Sequence, residues 1–156
     1  MGLANLGGGT SVDATFKIGN AVTTGTYANT TTSQYKVAFA QQSTTTENYS
    51  ADYRVTSTMV PVGIIQSVQD STSAEMTVRI AGVTKAYAND SILAFTYVVA
   101  ADQTAGDAEA GYVTYFTPTT DFTSSVASKR IIGLALEQAQ KTGAAISILL
   151  TPGIGY

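Results

Sequence analysis

The chain has 156 residues, a net charge of -3 and only 12% charged residues, with no Cys and no His. That composition removes disulfides, thiolate and imidazole metal sites, a Cys nucleophile and the Ser-His-Asp relay together. Eight Lys and Arg against eleven Asp and Glu also make nucleic acid a poor partner, because affinity for phosphates requires a surplus of basic side chains.

Met1–Leu6 has no positive residue and no sustained apolar run, so no secretory signal is expected there. Residues 1–50 are rich in Thr, Gly and Asn, and read as an extended Thr-rich arm with one or two strands. Gly7-Gly8-Gly9 lacks the Gly-Lys-Ser/Thr ending of a phosphate-binding loop and reads as a tether. Thr15–Ile18 is a short strand candidate. Tyr35–Ala40 is a stronger one, with Tyr35, Val37 and Phe39 alternating onto one face.

Residues 51–156 are expected to form a β-domain. In it Met76, Val78 and Ile80 point inward and Thr77 and Arg79 outward. An internal similarity is visible at a constant separation of 70, from Gly63 to Gly133. Pro61–Ile65 lies over Ile131–Ala135, and Met76, Val78 and Ile80 fall on Ile146, Ile148 and Leu150. Two related units, 61–82 and 131–152, are therefore expected.

The same similarity argues that 131–136 is a strand with Ile132, Leu134 and Leu136 on one face. A helix there would carry Gly133 in its interior at a cost of about 1 kcal/mol relative to Ala. Ile92–Val99 and Gly111–Thr117 supply further strands on either side of a loop at 100–110. The fold expected is all-β, a small barrel or sandwich of short strands. No apolar stretch approaches the roughly 20 residues that span a bilayer, so no membrane partner is expected.

Asp102, Asp107 and Glu109 gather three carboxylates in one loop, the donor type calcium takes, but their spacing departs from the EF-hand pattern and a solvated acidic loop explains them. No metal, cofactor or catalytic residue is expected. Nine Tyr and no Trp occur, and Tyr27, Tyr49 and Tyr53 lie in or beside the polar first third, where a ring with a polar tip suits an interface. With Leu3 and Leu6 they are the candidate contacts to a partner or a neighbouring protomer.

Arg130–Ala139, followed by Thr142-Gly143 and Ile146–Leu150, resembles the closing segment of phage capsid decoration, or cement, proteins of the DUF2190 type. Pro61–Ile64, Val78–Val83 and Ala88–Ile92 look like that family's earlier strands, so the resemblance covers about Val60 to Gly153. It implies a non-enzymatic virion protein, often trimeric, on the outer capsid surface, bridging subunits of the major capsid protein. A head fibre or a carbohydrate-binding β-sandwich is the alternative reading.

Overall fold

The computed structural model describes residues 11–18, 34–40, 50–52, 60–69, 75–101, 109–118 and 131–151. Their elements are strands: β1 (Val12–Ile18), β2 (Val37–Ala40), β3 (Ser50–Asp52), β4 (Val60–Gln69), β5 (Glu75–Tyr87), β6 (Tyr97–Ala100), β7 (Val113–Tyr115), β8 (Ile131–Ala135) and β9 (Ala145–Leu150). The fold is all-β and barrel-like, as the sequence patterning requires.

The strands run in the order β1-β3-β2-β4-β5-β9-β8-β6-β7, and β1 also pairs with β5. That extra pairing closes a first ring, β1-β3-β2-β4-β5, using the front of β5 from Glu75 to Ala81. The back of β5, Gly82 to Tyr87, pairs with β9 and starts a second series, β5-β9-β8-β6-β7. An isolated parallel bridge between Ala88 and Val113 returns β7 to the end of β5 and nearly closes a second ring.

The two rings have the same pairing register. In the first, Ile64 faces Arg79 and Ile65 faces Val78; in the second, Leu134 faces Leu149 and Ala135 faces Ile148, each residue 70 positions on. Phe16 opposite Met76 becomes Ala86 opposite Ile146 at the same separation. A bulge recurs in place: β2 goes from Ala38–Gly63 to Phe39–Pro61, and β6 from Val98–Gly133 to Val99–Ile131. The parallel pair Ile18–Ala51 corresponds to the parallel bridge Ala88–Val113. Among the described residues Tyr35 and Phe95, which precede β2 and β6, are the non-glycine residues with positive φ, at 65° and 62°. Each donates its backbone N–H across to the neighbouring strand, Tyr35 to Ile65 and Phe95 to Ala135.

Gly82 marks the handover within β5. Its φ of +95° suits glycine, and a Cβ there would lie 2.8 Å from the Ser11 Cα. The first ring contains a core of Ala38, Ile65, Val68, Met76 and Val78, with Phe16 and Ile80 packed against it. A second, larger core is built on Val98, Val113, Ala135, Ile146 and Ile148, and it also takes in Val37, Phe39 and Ile64 from the first ring.

β2 is thus buried on both faces, with Val37, Ala38 and Phe39 all fully buried. The half-buried strand suggested by alternation alone is corrected by a core on either side. Two other details differ from the sequence reading. Ile132 lies in the core but Leu134 faces outward, because the bulge at Ile131–Gly133 resets the alternation. Residues 92–96 form an isolated bridge and a turn, not a strand, and β6 begins at Tyr97.

Candidate interaction surface

Leu3, Leu6, Tyr27, Tyr49 and Tyr53 lie outside the described residues, as do Asp102 and Asp107. Among the described residues no group of three or more acidic side chains is placed to hold a metal ion. Glu109 is described, and its charge acts on Lys36.

The most distinctive surface lies on the outside of the second ring. Cross-strand pairing places Tyr97 beside Leu134, Leu134 beside Leu149, and Leu149 beside Val83. Directly paired residues share a face, so these four form one apolar row across β6, β8, β9 and β5. Phe95 and Leu93 extend it along the turn before β6. Phe95 is 71% exposed and Tyr97 47% exposed, and Leu93, Val83 and Leu149 are exposed as well.

Charged groups border this row and are already paired with each other. Arg79 Nε donates to Asp13 Oδ1 at 2.8 Å and Arg79 Nη2 to Oδ2 at 3.2 Å, while Nη1 donates to the Val83 carbonyl at 3.0 Å. The guanidinium bonds hold the Asp13 carboxyl below its usual range. Lys85 Nζ donates to Glu137 Oε2 at 2.8 Å, and the same oxygen accepts from the Ser147 backbone N–H at 2.8 Å. Those two bonds, the lysine's first, lower the Glu137 pKa. An apolar centre with a polar rim is the usual anatomy of a protein–protein contact.

A second cluster sits where the rings meet. The Tyr35 and Tyr87 rings meet edge to face at 5.9 Å, and Tyr87 and Tyr112 lie 5.3 Å apart. Lys36, which is buried, places Nζ 5.6 Å from the centre of the Tyr112 ring. Burial lowers the Lys36 pKa, with Glu109 acting against it, and burial raises that of Tyr112. Backbone bonds stitch the seam: Val37 N donates to Gly111 O at 2.7 Å and Tyr87 N to Tyr35 O at 3.2 Å.

A pocket of about 40 Å³ lies between β4 and β8, lined by Pro61, Gly63, Ile80, Ile132 and Thr151 among others. The Thr151 hydroxyl is buried with no partner among the described residues. This volume suits a water molecule or two and falls far below the roughly 300 Å³ of a small-ligand site.

Sequence reasoning missed the apolar row, although one signal pointed to it. Ile146, Ile148 and Leu150 turn inward on β9, which leaves Leu149 as a large apolar side chain at an outward position. The phase of β6, and with it Tyr97, is set by pairing that the local pattern does not reveal.

No protein-family model matches the chain, and no curated protein matches it. A solved structure of the head fibre gp8.5 N base of bacteriophage phi29 is similar over 90% of this chain and 94% of that one, at 13% identity and a TM-score of 0.49. A likeness of that strength does not fix a family.

Proposed function

We propose that this protein is a virion structural component that binds the outer surface of a phage capsid and stabilises it by bridging major capsid subunits, acting as a homo-oligomer, most simply a trimer. The observation that carries the reading is the apolar row Tyr97–Leu134–Leu149–Val83, an assembly face exposed at Tyr97, Leu149 and Val83 and suited to a neighbouring protomer or the shell, on a fold whose sequence offers neither His nor Cys for chemistry. Such a face gains about 25 cal/mol for each Å² of apolar surface it buries. The segments that resemble cement proteins supply four strands of this fold, β4, β5, β8 and β9, in two hydrogen-bonded pairs.

The mechanism is multivalency. Once one protomer of an oligomer has docked, the remaining contacts are intramolecular and avidity rises by about 10² to 10⁴ with no single strong contact. Residues 1–10, with Leu3 and Leu6, and the tyrosines at 27, 49 and 53 are proposed as further contacts to the shell or to a neighbouring protomer.

Co-sedimentation with mature shells lacking the protein tests the reading. Saturable binding at a copy number compatible with the shell's symmetry is expected, and no binding to expanded shells would overturn it in favour of the fibre or glycan-binding alternative. A deletion that probes the arm must end before Val12, because β1 closes the first ring against β5. Removing residues 2–10 is expected to weaken binding while the melting temperature holds.

A further inference from the structure

The matching registers make the two rings comparable position by position, and the comparison exposes an asymmetry. Tyr35, Val37, Ile64, Arg79 and Asp13 in the first ring correspond to Phe95, Tyr97, Leu134, Leu149 and Val83 in the second. In the first ring the Tyr35, Val37 and Ile64 part of this face is covered by the second ring, while Arg79 and Asp13 stay partly exposed as an ion pair. Val37 and Ile64 are 0% exposed and lie in the core that contains Ile146 and Ile148. The Tyr35 carbonyl accepts from Tyr87 N–H, the Val37 N–H donates to Gly111, and the Tyr35 ring packs edge-on against Tyr87. In the second ring the corresponding face is the exposed apolar row.

We propose that the chain is two copies of one five-stranded unit, and that the Phe95–Tyr97–Leu134–Leu149 face takes the first ring of a second copy of this chain, in the way the first ring's face takes the second ring within one chain. The residues corresponding to Tyr87 and Ala88 are Lys17 and Ile18 at the end of β1. The contact therefore runs from the outside of β6 and β8 in one protomer to the end of β1 in the next. It is head to tail, joining two different surfaces, and such a contact either closes into a ring or continues as a filament. The inference deepens the self-assembly part of the proposed function and is independent of capsid binding.

An interface inside the chain is the reason to choose a second copy over another partner. The surface that fits this kind of face is already encoded in the same sequence, and the face in question is the one member of the pair that no part of its own chain covers among the described residues. Where it meets the seam this face is more apolar or larger than its counterpart, Tyr97 standing for Val37 and Phe95, without a hydroxyl, for Tyr35.

The natural absence of cysteine makes the test clean. Phe95→Cys and Lys17→Cys are made as separate proteins, mixed, and oxidised. The geometry predicts a disulfide between one Phe95→Cys chain and one Lys17→Cys chain, with neither variant linking efficiently to itself. Separately, Tyr97→Glu should weaken self-association by about tenfold or more in sedimentation velocity, with an unchanged circular dichroism spectrum and melting temperature because the side chain is exposed. Efficient Phe95→Cys self-linking would replace the head-to-tail contact with a symmetric one. A Tyr97→Glu protein as oligomeric as the parent would overturn the assignment of this face. A parent chain that is monomeric at high concentration would overturn the inference altogether while leaving shell co-sedimentation to judge the capsid reading by itself.

Discussion

Gly133 sits where β8 presses on β9, and replacing it with Ala asks the backbone to move. A Cβ built there lies 2.4 Å from the Leu149 carbonyl oxygen and 3.3 Å from the Leu150 Cα. The oxygen contact is roughly 1 Å short of van der Waals separation. No rotamer change relieves it, because the obstructing atom belongs to the main chain of the neighbouring strand. Overpacking of this kind costs about 1–3 kcal/mol, and a backbone obstruction belongs at the upper end. For a chain of this size each kcal/mol lowers the melting midpoint by about 2–4 °C, so Gly133→Ala should melt roughly 5–10 °C below the parent.

Gly63 makes the corresponding contact in the first ring, 2.1 Å from the Arg79 carbonyl oxygen, and Gly63→Ala should behave alike. Gly143 is the control. Its φ is +81° but nothing lies within 4 Å of its Cβ position, so Gly143→Ala carries only the left-handed backbone cost of about 1–2 kcal/mol. The measurement is a set of thermal and urea melts on the three variants. Gly133→Ala and Gly63→Ala melting within about 1 °C of the parent would refute the close strand approach and the equivalence built on it.

Three further outcomes follow from the same geometry. Asp13→Asn should remove the link between β1 and Arg79 at a cost of about 0.5–1 kcal/mol at low salt, since the pair is partly solvated; because the Asp13 pKa is depressed, its contribution is intact above about pH 4 and lost as pH falls through the folded value, and the parent–variant difference in urea midpoint from pH 6 down to pH 2 reads it. Burial lowers the Lys36 pKa, so the unfolded chain holds that proton more tightly; the charged lysine therefore costs stability at neutral pH, and the parent should gain on Lys36→Met as pH rises towards about 10.4, with parallel pH profiles counting against this burial. Phe39→Ala should cost about 3–5 kcal/mol and shift one cooperative transition, because Phe39 belongs to a first-ring strand but packs in the second core; a biphasic melt would show that the rings unfold separately.

Much of the strand framework was legible where alternation runs undisturbed. Met76, Val78 and Ile80 face the first core as their period-2 pattern requires, and Ile146, Ile148 and Leu150 do the same in the second. The pattern failed where a bulge intervenes. Around Gly133 the bulge opposite Val98 and Val99 sends Ile132 inward and Leu134 outward, which a constant period cannot express. It also failed for β2, where Tyr35–Ala40 reads as one-sided because Lys36 and Ala38 interrupt the large apolar residues. Lys36 is nevertheless buried, its ammonium close to the face of Tyr112.

The correspondence between the rings was only partly visible for a related reason. Gly63 and Gly133 are 70 residues apart, but Ala38 and Val98, which occupy matching places in β2 and β6, are 60 apart. An ungapped comparison therefore aligns β4 and β5 with β8 and β9 and loses register at the preceding strands. Across Tyr35–Ala40 and Phe95–Ala100 only the final alanines coincide. Backbone geometry is retained there without side-chain identity: the same positive φ, the same donated bond to the next strand and the same bulge. The candidate surface escaped the sequence for this reason, since Tyr97 is recognised as outward only after β6 has been paired with β8.

β5 explains why two such rings behave as one body. Its front half closes the first ring against β1, and its back half stands in the second ring where β1 stands in the first, pairing with β9 as β1 pairs with β5. One continuous strand of 13 residues is thereby the last strand of one ring and the first of the next. Gly82 at the handover admits both the turn of the backbone and the approach of Ser11. An arrangement that joins one ring to the next through a continuous strand, and covers part of the first ring's face in doing so, leaves the second ring's equivalent face uncovered among the described residues. That face exposes Phe95 and Tyr97 where the first ring packs Tyr35 and Val37 against the second, and it is a surface shaped for a continuation.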